Sequence, residues 1–223
     1  MEITGNKEIE ELIKGGMLDT AKEKAKDYFK LMSYYKCALM EVETKLNVLN
    51  EEFSLQHERN PICSIKSRIK TPSAIKEKLD RRGFPSGLES IEENITDVAG
   101  LRVCCSFVED VYMVADALLK QDDITLIVKK DYIKEPKENG YRSLHLIVAV
   151  PIYLSSEKRM MKVEIQLRTI AMDFWASVEH QLRYKKDRVF TEEMANELSN
   201  CAKISADLDE RMGNLRKLIE KEN

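Results

Sequence analysis

Residues 161–169, MKVEIQLRT, alternate apolar and polar side chains and decide the fold. Val163, Ile165 and Leu167 fall on one face of an extended strand, because successive strand side chains point to opposite sides. The opposite face carries the polar residues Glu164, Gln166 and Arg168. A strand with one apolar and one polar face is typical of a sheet that packs its core on one side only.

The stretch SLHLIVAV, residues 143–150, has the same alternation. Here Tyr141, Ser143 and His145 are expected to share one face, and aliphatic side chains fill the other. The polar faces therefore carry Arg, His, Gln and Glu, which are the residue types used for recognition and catalysis. A sheet with one solvated face and no functional site, which is common in antiparallel sheets, is the alternative.

A third strand is predicted in GLRVCCSFV, residues 100–108, with Arg102 on its polar face, and a fourth near residues 124–130. Helices are predicted near residues 110–120 and after Thr169. The segment from Pro72 to Gly83 has the residues of a capped helix, with Thr71 as the N-cap. This order indicates an α/β or α+β domain with a mixed sheet flanked by helices, and we assign it to the α+β class.

Long helices are predicted at both ends of the chain. One spans about residues 18–58, and its apolar stripe comprises Leu31, Tyr35, Ala38, Val42, Leu46, Leu49 and Phe53. The other runs from about residue 191 to the end, with a 4-3 spacing through Met194, Leu198, Cys201, Ser205, Leu208, Met212, Leu215 and Ile219. This coiled-coil-like seam fits either a subunit contact or packing on the helix's own domain.

Composition excludes several classes of function. The chain has 223 residues with 36 Lys and Arg against 39 Asp and Glu, so a broad basic surface for duplex nucleic acid is not expected. Its longest apolar run, residues 146–154, is far shorter than a membrane span, and the acidic N-terminus lacks a signal-peptide core. Five cysteines without a Cys-x-x-Cys pair indicate reduced structural thiols. We therefore expect a cytoplasmic protein.

Two basic clusters interrupt this balanced charge. Seven basic residues lie between Lys66 and Arg82, and a second group surrounds the glycine loop KKDYIKEPKENGYRS, residues 129–143. Pro136 and Gly140 predict a loop rather than a helix in the second group. Polyphosphate ligands need concentrated cations, so both clusters are candidate phosphate sites. Ordinary solvated lysines are the alternative.

Two acids stand apart from the surface charges. Asp97 precedes a strand in TDVAGLRV, and Glu164 lies within a strand between two branched apolar residues. Such an acid needs a partner, either a neighbouring Arg or a divalent cation held between the two carboxylates. Mg²⁺ binds a few carboxylates together with substrate phosphate oxygens, so Asp97 and Glu164 are the candidate metal ligands.

Four motifs in order, RIKTPSAIKEKL, DVAGLRV, KDYIKEPKENGYRSLH and VEIQLRT, resemble the synthetase domain of Rel-type alarmone synthetases over roughly residues 68–183. The chain's length is similar to that of the small stand-alone members. None of its three histidines is followed by Asp, as in the hydrolase domain of long members, so the resemblance implies synthesis only. We divide the chain into an N-terminal helical segment (1–60), the synthetase domain (61–186) and a C-terminal amphipathic helix (187–223).

The resemblance implies a nucleotidyltransferase-like fold and the transfer of pyrophosphate from ATP to the ribose 3′-hydroxyl of GTP or GDP. Asp97 and Glu164 resemble the carboxylates that hold Mg²⁺, and Glu164 also resembles the group that activates the hydroxyl. Arg68 and Arg102 resemble the pair that sandwiches adenine. Lys70 and Lys78 resemble ligands of the ATP phosphates.

On the acceptor side, Tyr141 resembles the residue that stacks on guanine, so its ring should contribute more than its hydroxyl. The other matching positions are Lys130, Lys137, Asn139, His145 and Gln166. The resemblance leaves the choice between GTP and GDP open, because Val128 stands where long relatives have a charged residue. Small stand-alone members are typically homotetramers, so the terminal helices are expected to form at least one subunit interface.

Two other functions remain open from the residues alone. One is a nucleotidyltransferase that moves NMP, whose members usually have an Asp-x-Asp pair on a strand. The only such pair here, Asp207 and Asp209, falls in the C-terminal helix and is interpreted as solvated surface. The other is a non-catalytic interaction protein that acts through its terminal helices, which leaves the polar strand faces unexplained.

Overall fold

A mixed five-stranded sheet forms the centre of the chain. The computed structural model describes residues 4–57, 59–183 and 190–222. Its elements are α1 (Thr4–His57), β1 (Ile62–Ile69), α2 (Pro72–Arg82), α3 (Leu88–Asn94), β2 (Ala99–Cys105), α4 (Val108–Leu119), β3 (Thr125–Asp131), β4 (Leu144–Tyr153), β5 (Lys158–Thr169), α5 (Ile170–Arg183) and α6 (Glu192–Glu222). The α+β class with long terminal helices is confirmed.

The sheet has the order β1-β2-β5-β4-β3. Strands β2 and β5 run parallel, and the other neighbours pair antiparallel. The connection between the parallel pair contains α4 and the β3–β4 hairpin, so β5 returns to the middle of the sheet. The strand that opened the sequence analysis is thus paired on both sides.

Local sequence accounts for most of these elements. The Thr71 side chain accepts a hydrogen bond from the Ala74 amide, and Gly83 ends α2 with a φ of 70°. Both caps of α2 are therefore confirmed. The four predicted strands all exist with small shifts of their ends, whereas strand β1 and the seven-residue helix α3 were not predicted.

The apolar stripe of α1 is buried from Leu31 to Phe53. It packs with α4 on the aliphatic face of the sheet, in one continuous core. The helix begins at Thr4 and not near residue 18. This stripe covers the sheet of its own chain, whereas other apolar side chains of α1, such as Phe29 and Met40, are exposed, so a subunit interface through α1 stays a prediction.

Helix α6 uses its predicted seam in two different ways. Leu198 and Ala202 are buried in a small cluster with Trp175 of α5, and the Trp175 indole donates to the Leu198 carbonyl at 3.0 Å. Further along, Leu208 and Met212 stay about half exposed, at 52% and 48%. Leu198 of the seam is therefore an intramolecular contact, whereas Met194, Leu208 and Met212 of the same seam are exposed.

Two sequence expectations concern membranes and thiols. None of the helices in the described ranges is long and apolar enough to cross a membrane. All five cysteines are free thiols. Burial raises the pKa of Cys104 to about 11, so this thiol stays protonated near neutral pH, as a structural residue does.

Candidate active site

The polar face of the sheet gathers its functional side chains in two cross-strand rows. Directly paired residues of neighbouring strands project to the same face. The first row, read from β1 to β3, is Lys66, Arg102, Gln166, His145 and Lys130. The second row contains Arg68, Gly100 and Glu164. Residues separated by up to about a hundred positions in the chain therefore meet on one surface.

A cleft of about 130 Å³ lies between these rows. Its walls include Lys66, Arg68, Gly100, Arg102, Glu164 and Gln166. The Arg68 side chain lies next to Gly100 of β2, since a Cβ at this position would be in ordinary van der Waals contact with it, at 3.6 Å. Arg68 and Arg102 both line the cleft. Two guanidinium groups thus flank one narrow space, which suits a flat aromatic base.

Asp97 holds two of the predicted phosphate-binding lysines. Its carboxylate accepts hydrogen bonds from Lys70 Nζ at 2.8 Å and from Lys78 Nζ at 2.7 Å. Lys70 follows β1 and Lys78 lies in α2, so the cap at Thr71 sets their relative position. Burial acts to raise the pKa of Asp97, but the two ammonium groups outweigh it and hold the pKa below its usual range.

Glu164 has a histidine and an amide as partners. His145 Nδ1 lies 3.5 Å from one carboxylate oxygen, and Gln166 Nε2 donates to the other at 3.0 Å. Burial and the charge of Asp97 act to raise the pKa of Glu164, but His145 and Gln166 lower it overall. The expectation of an arginine partner for Glu164 is wrong. The carboxylate is ionised at neutral pH and able to accept a proton.

The loop between β3 and β4 carries three of the predicted acceptor residues, Lys137, Asn139 and Tyr141. Gly140 adopts a φ of 87°, and its amide donates to the Lys137 carbonyl at 2.8 Å. The Asn139 side chain accepts from the Tyr141 amide at 3.2 Å, a local bond that fixes the turn. Asp131, which was not singled out in the sequence, starts the loop by accepting from the backbone amides of two following residues.

An aromatic cluster lies beside the predicted acceptor residues. The Tyr141 hydroxyl lies 2.8 Å from His145 Nε2, and Tyr132 packs edge-on against both rings. Lys137 Nζ lies over the rings of Tyr132 and Tyr141, at 4.7 and 4.9 Å from their centroids. Tyr132 was missed because nothing in its local pattern separates it from an ordinary loop residue. Lys130 is exposed at the edge strand, paired in register with His145.

Two residues of the polar face had no predicted role. Arg168 is buried beside Tyr141 and Gln166, and Asp173 in the first turn of α5 is its counter-ion. Arg168 could have been found, since it completes the polar face of the strand that was analysed first. Asp173 gave no signal, because an acid in the first turn of a helix is ordinary.

Arg142 and Asp209 depart from their sequence interpretation. Asp209 is only 9% exposed and accepts from Thr169 Oγ1 at 2.9 Å and from Arg142 at 3.3 Å. It is therefore not a solvated surface residue. Arg142, counted in the basic loop, is bonded to α6 and does not add to the cationic face.

Comparison with known proteins agrees with the motifs. The family described as the region found in RelA and SpoT proteins matches residues 67–189, more than half of the chain. GTP pyrophosphokinase YwaC of Bacillus subtilis is 40% identical over 203 residues, covering 91% of this chain and 97% of YwaC. GTP pyrophosphokinase YjbM of the same organism is 36% identical, covering 86% and 89%.

Solved structures give the same result for the whole fold. The small alarmone synthetase 2 of B. subtilis has a TM-score of 0.78 and 41% identity, covering 86% of this chain and 98% of that one. The small alarmone synthetase 1 of B. subtilis bound to pppGpp has a TM-score of 0.76 and 37% identity, covering 83% and 94%. Extensive identity, matching length and a shared fold agree: this chain is a member of the RelA/SpoT family.

Proposed function

We propose that the protein is a GTP pyrophosphokinase, which transfers pyrophosphate from ATP to the ribose 3′-hydroxyl of GTP or GDP. The products are AMP and pppGpp or ppGpp. The observation that carries this proposal is the arrangement of the polar face, where Glu164 lies between an Asp97–lysine cluster and the Tyr141 loop. The small alarmone synthetase 1 of B. subtilis has been solved bound to its product pppGpp. A second structure of that synthetase, 33% identical to this chain, is bound to AMPCPP.

The donor subsite is assigned to the cleft. Arg68 and Arg102 would hold adenine between their planar groups, and Lys70 and Lys78 would bind the phosphates. Both lysines bond Asp97 in the structure, so they would exchange this carboxylate for phosphate oxygens when ATP binds. Their reach is already set by the Asp97 contact, which limits the reorganisation that binding requires.

The acceptor subsite is assigned to the β3–β4 loop and the neighbouring strand positions. Tyr141 would stack on guanine. Lys130, Lys137 and His145 would meet the acceptor phosphates, and Asn139 and Gln166 would complete the site. Lys137 Nζ lies against two tyrosine rings in the structure, so it has to leave them to reach a phosphate.

Glu164 would accept the proton of the 3′-hydroxyl. The hydroxyl oxygen then attacks the β-phosphorus of ATP, the bond from that phosphorus to the bridging oxygen breaks, and the oxygen leaves on AMP. A positioned general base contributes about 10²–10⁴-fold. The lowered pKa of Glu164 keeps it in the ionised form that this role needs.

Mg²⁺ is the proposed cofactor, with Asp97 and Glu164 as its ligands. In the described parts of the chain, no group of three His, Cys, Asp or Glu side chains is placed to hold a metal ion, and Asp97 and Glu164 would contribute two carboxylates. The charge of Asp97 acts to raise the pKa of Glu164, against the net lowering, so the two carboxylates interact electrostatically. This open donor set fits Mg²⁺, which also uses substrate phosphates. When bound, the ion would neutralise charge on the phosphates.

One experiment separates the candidate functions. The protein is incubated with ATP, GTP and Mg²⁺, and the nucleotides are separated by anion exchange. AMP together with a more highly charged guanosine nucleotide is the expected result. An AMP-modified acceptor would indicate an NMP transferase, and no turnover would favour a non-catalytic interaction protein. The Glu164→Gln variant serves as the control for a contaminating kinase.

The same proposal includes the remaining properties of the chain. We propose that the protein is cytoplasmic, has no hydrolase activity and forms a homo-oligomer, a tetramer by resemblance to the small stand-alone members. We also propose the division of the chain into segments 1–60, 61–186 and 187–223, although residue 186 lies outside the described residues. Support for assembly comes from an apolar groove of about 690 Å³ between α5 and α6. Exposed apolar side chains of Ile170, Phe174, Ile204, Leu208 and Met212 line it. A monomer mass in light scattering at micromolar concentration would contradict assembly.

A further inference from the structure

Arg168 is a buried cation on the polar face of the sheet. Its side chain is near the end of β5 and only 4% of the residue is exposed. A buried charge is costly unless it is paired and hydrogen-bonded. One terminal nitrogen donates to Asp173 at 3.1 Å, and the other donates to the Tyr141 hydroxyl at 2.7 Å and to Gln166 Oε1 at 2.9 Å. Arg168 thus ties one carboxylate of α5 to two residues of the proposed acceptor subsite.

The same carboxylate oxygen also faces the donor subsite. Asp173 Oδ1 lies 3.4 Å from the Arg102 guanidinium, on the other side from Arg168. Burial and the charge of Arg168 lower the pKa of Arg102, and Asp173 opposes this effect. Without Asp173, two guanidinium groups of like charge would face each other at the end of the sheet. One carboxylate therefore holds one arginine from each side of the site.

The contacts continue from Arg168 to the proposed base. Since Arg168 donates to the Tyr141 hydroxyl, the hydroxyl hydrogen is free to point at His145 Nε2, 2.8 Å away. That arrangement leaves the hydrogen of a neutral His145 on Nδ1, facing Glu164 at 3.5 Å. A continuous set of polar contacts thus joins Arg102, through Asp173 and Arg168, to Tyr141, His145 and Glu164.

We propose that Asp173 is a positioning residue that couples the two nucleotide subsites of this enzyme. The inference rests on the proposed function, since it uses Arg102 as a donor-side residue and Tyr141 as an acceptor-side residue. A nucleotide on either side restrains the arginine that it contacts, and Asp173 transmits the restraint to the other. Each nucleotide therefore binds more tightly when the other is present, and by linkage the factor is the same in both directions.

A simpler role for Asp173 would be to stabilise the first turn of α5, where an acid favours the helix dipole. That role predicts a lower melting temperature for variants of Asp173, with no change in how the two nucleotides affect each other. Binding coupling is therefore the measurement that separates the two roles.

The test is calorimetric titration of the native protein and of Asp173→Asn with AMPCPP and GTP, each alone and in the presence of the other. We expect the native protein to bind GTP several-fold more tightly with AMPCPP bound. The ratio of the Kd for GTP without AMPCPP to that with AMPCPP should fall to one in Asp173→Asn. Both nucleotides should bind about tenfold more weakly to this variant, since charged hydrogen bonds are lost. Asp173→Glu should restore part of the coupling. A native ratio in Asp173→Asn would overturn the proposal, as would equal single affinities with and without the partner in the native protein.

Two further variants keep the result interpretable. Asp123→Asn removes the carboxylate of a different ion pair, with Lys45 at 2.6 Å, away from the polar face, and should leave the coupling between the two nucleotides unchanged. Tyr141→Phe removes one of the two acceptor-side partners of Arg168 but leaves the Asp173–Arg168 pair and the Gln166 contact, so it should weaken the coupling even if Asp173→Asn fails to fold. Absence of alarmone synthesis by the native protein would reject the proposed function. Synthesis with unchanged coupling in both variants would reject only this inference.

Discussion

Asp97 and Glu164 are both acids with lowered pKa, but they owe it to different partners. Lysines hold Asp97, whereas His145 and Gln166 hold Glu164. We expect Asp97→Asn to abolish nearly all synthesis and to lower the melting temperature as well, because Lys70 and Lys78 lose their shared counter-ion. Turnover and melting are measured together at saturating Mg²⁺. Near-native turnover would show that Asp97 is not a metal ligand.

Glu164→Gln should keep the fold and lower kcat by about 10²–10⁴-fold, the usual contribution of a general base. Gln keeps the shape and one acceptor oxygen but takes up no proton. Steady-state kinetics with both nucleotides saturating provide the measurement, and Asp123→Asn is the control for loss of a carboxylate elsewhere. A loss confined to KM would mean that Glu164 binds substrate and does not act as a base.

Glu164 also predicts a pH dependence of stability. Its pKa is lowered on folding, so its contribution is fully present above the unfolded value, about 4.3, and is lost as pH falls through the folded value. The free energies of unfolding of the native protein and of Glu164→Gln, measured in urea at fixed protein concentration, should therefore converge below about pH 4. The control is Glu41→Gln at an exposed position, and its curve of unfolding free energy against pH should run parallel to that of the native protein. Parallel curves for Glu164→Gln would contradict the prediction.

Tyr141 separates the contribution of a ring from that of a hydroxyl. Tyr141→Ala should weaken GTP roughly 5- to 150-fold, since a stacked base contributes about 1–3 kcal/mol. The sequence alone predicts that Tyr141→Phe matters less than Tyr141→Ala. The structure changes that expectation, because Phe leaves the buried Arg168 without one acceptor. We therefore expect Tyr141→Phe to weaken GTP as well, measured by KM for each nucleotide, and an unchanged KM would contradict it.

At the scale of elements, α6 supports the acceptor loop directly. Gly140 has a positive φ, and a Cβ there would lie 2.4 Å from the Ala202 Cβ. Arg142 and Asp209 join the same loop to α6 through their ion pair. The loop that carries Tyr141 therefore packs against the C-terminal helix. A change in the position of α6 should affect the affinity for GTP more than the affinity for ATP.

Gly140→Ala tests this support. It adds backbone strain of about 1 kcal/mol and a clash with α6, so the KM for GTP should rise more than that for ATP. Gly83→Ala is the matched control, because it has a φ of 70° and nothing within 4 Å of the added Cβ. The double variant Gly140→Ala with Ala202→Gly should recover GTP binding in part. An equal rise in the KM for GTP in Gly140→Ala and Gly83→Ala would show that backbone strain, and not the contact with α6, causes the effect.

At the scale of the whole molecule, the exposed half of α6 borders the apolar groove. Leu208→Glu with Met212→Glu places two charges on this surface without entering the core, because both side chains are about half exposed. We expect the oligomer to dissociate while the melting curve stays cooperative, as followed by light scattering and calorimetry. Asn200→Glu with Asn214→Glu adds the same charge at exposed positions outside the groove. An interface at the groove would be contradicted if the Leu208 and Met212 double variant unfolded, or if the Asn200 and Asn214 double variant dissociated.

The sequence by itself determined what depends on neighbours along the chain. Strand faces followed from alternation, as in residues 161–169, and the ends of α2 followed from Thr71 and Gly83. The types of the site residues could be chosen because Arg, Lys, Glu and His stood on polar faces or in a glycine loop. These features are local, so periodicity and capping chemistry suffice to predict them. Individual roles in the site came from resemblance to the family and stay predictions.

Only the tertiary structure decided which distant residues meet. The sheet order aligns Arg102, Gln166 and His145 in one row, and no local pattern encodes the pairing of three separate strands. The same reason explains the partners of Asp173 and the burial of Asp209, whose positions in helices look like ordinary surface sites. It also explains why the stripe of α1 covers its own sheet: an apolar face predicts burial, but its partner is chosen by packing among elements far apart in the chain.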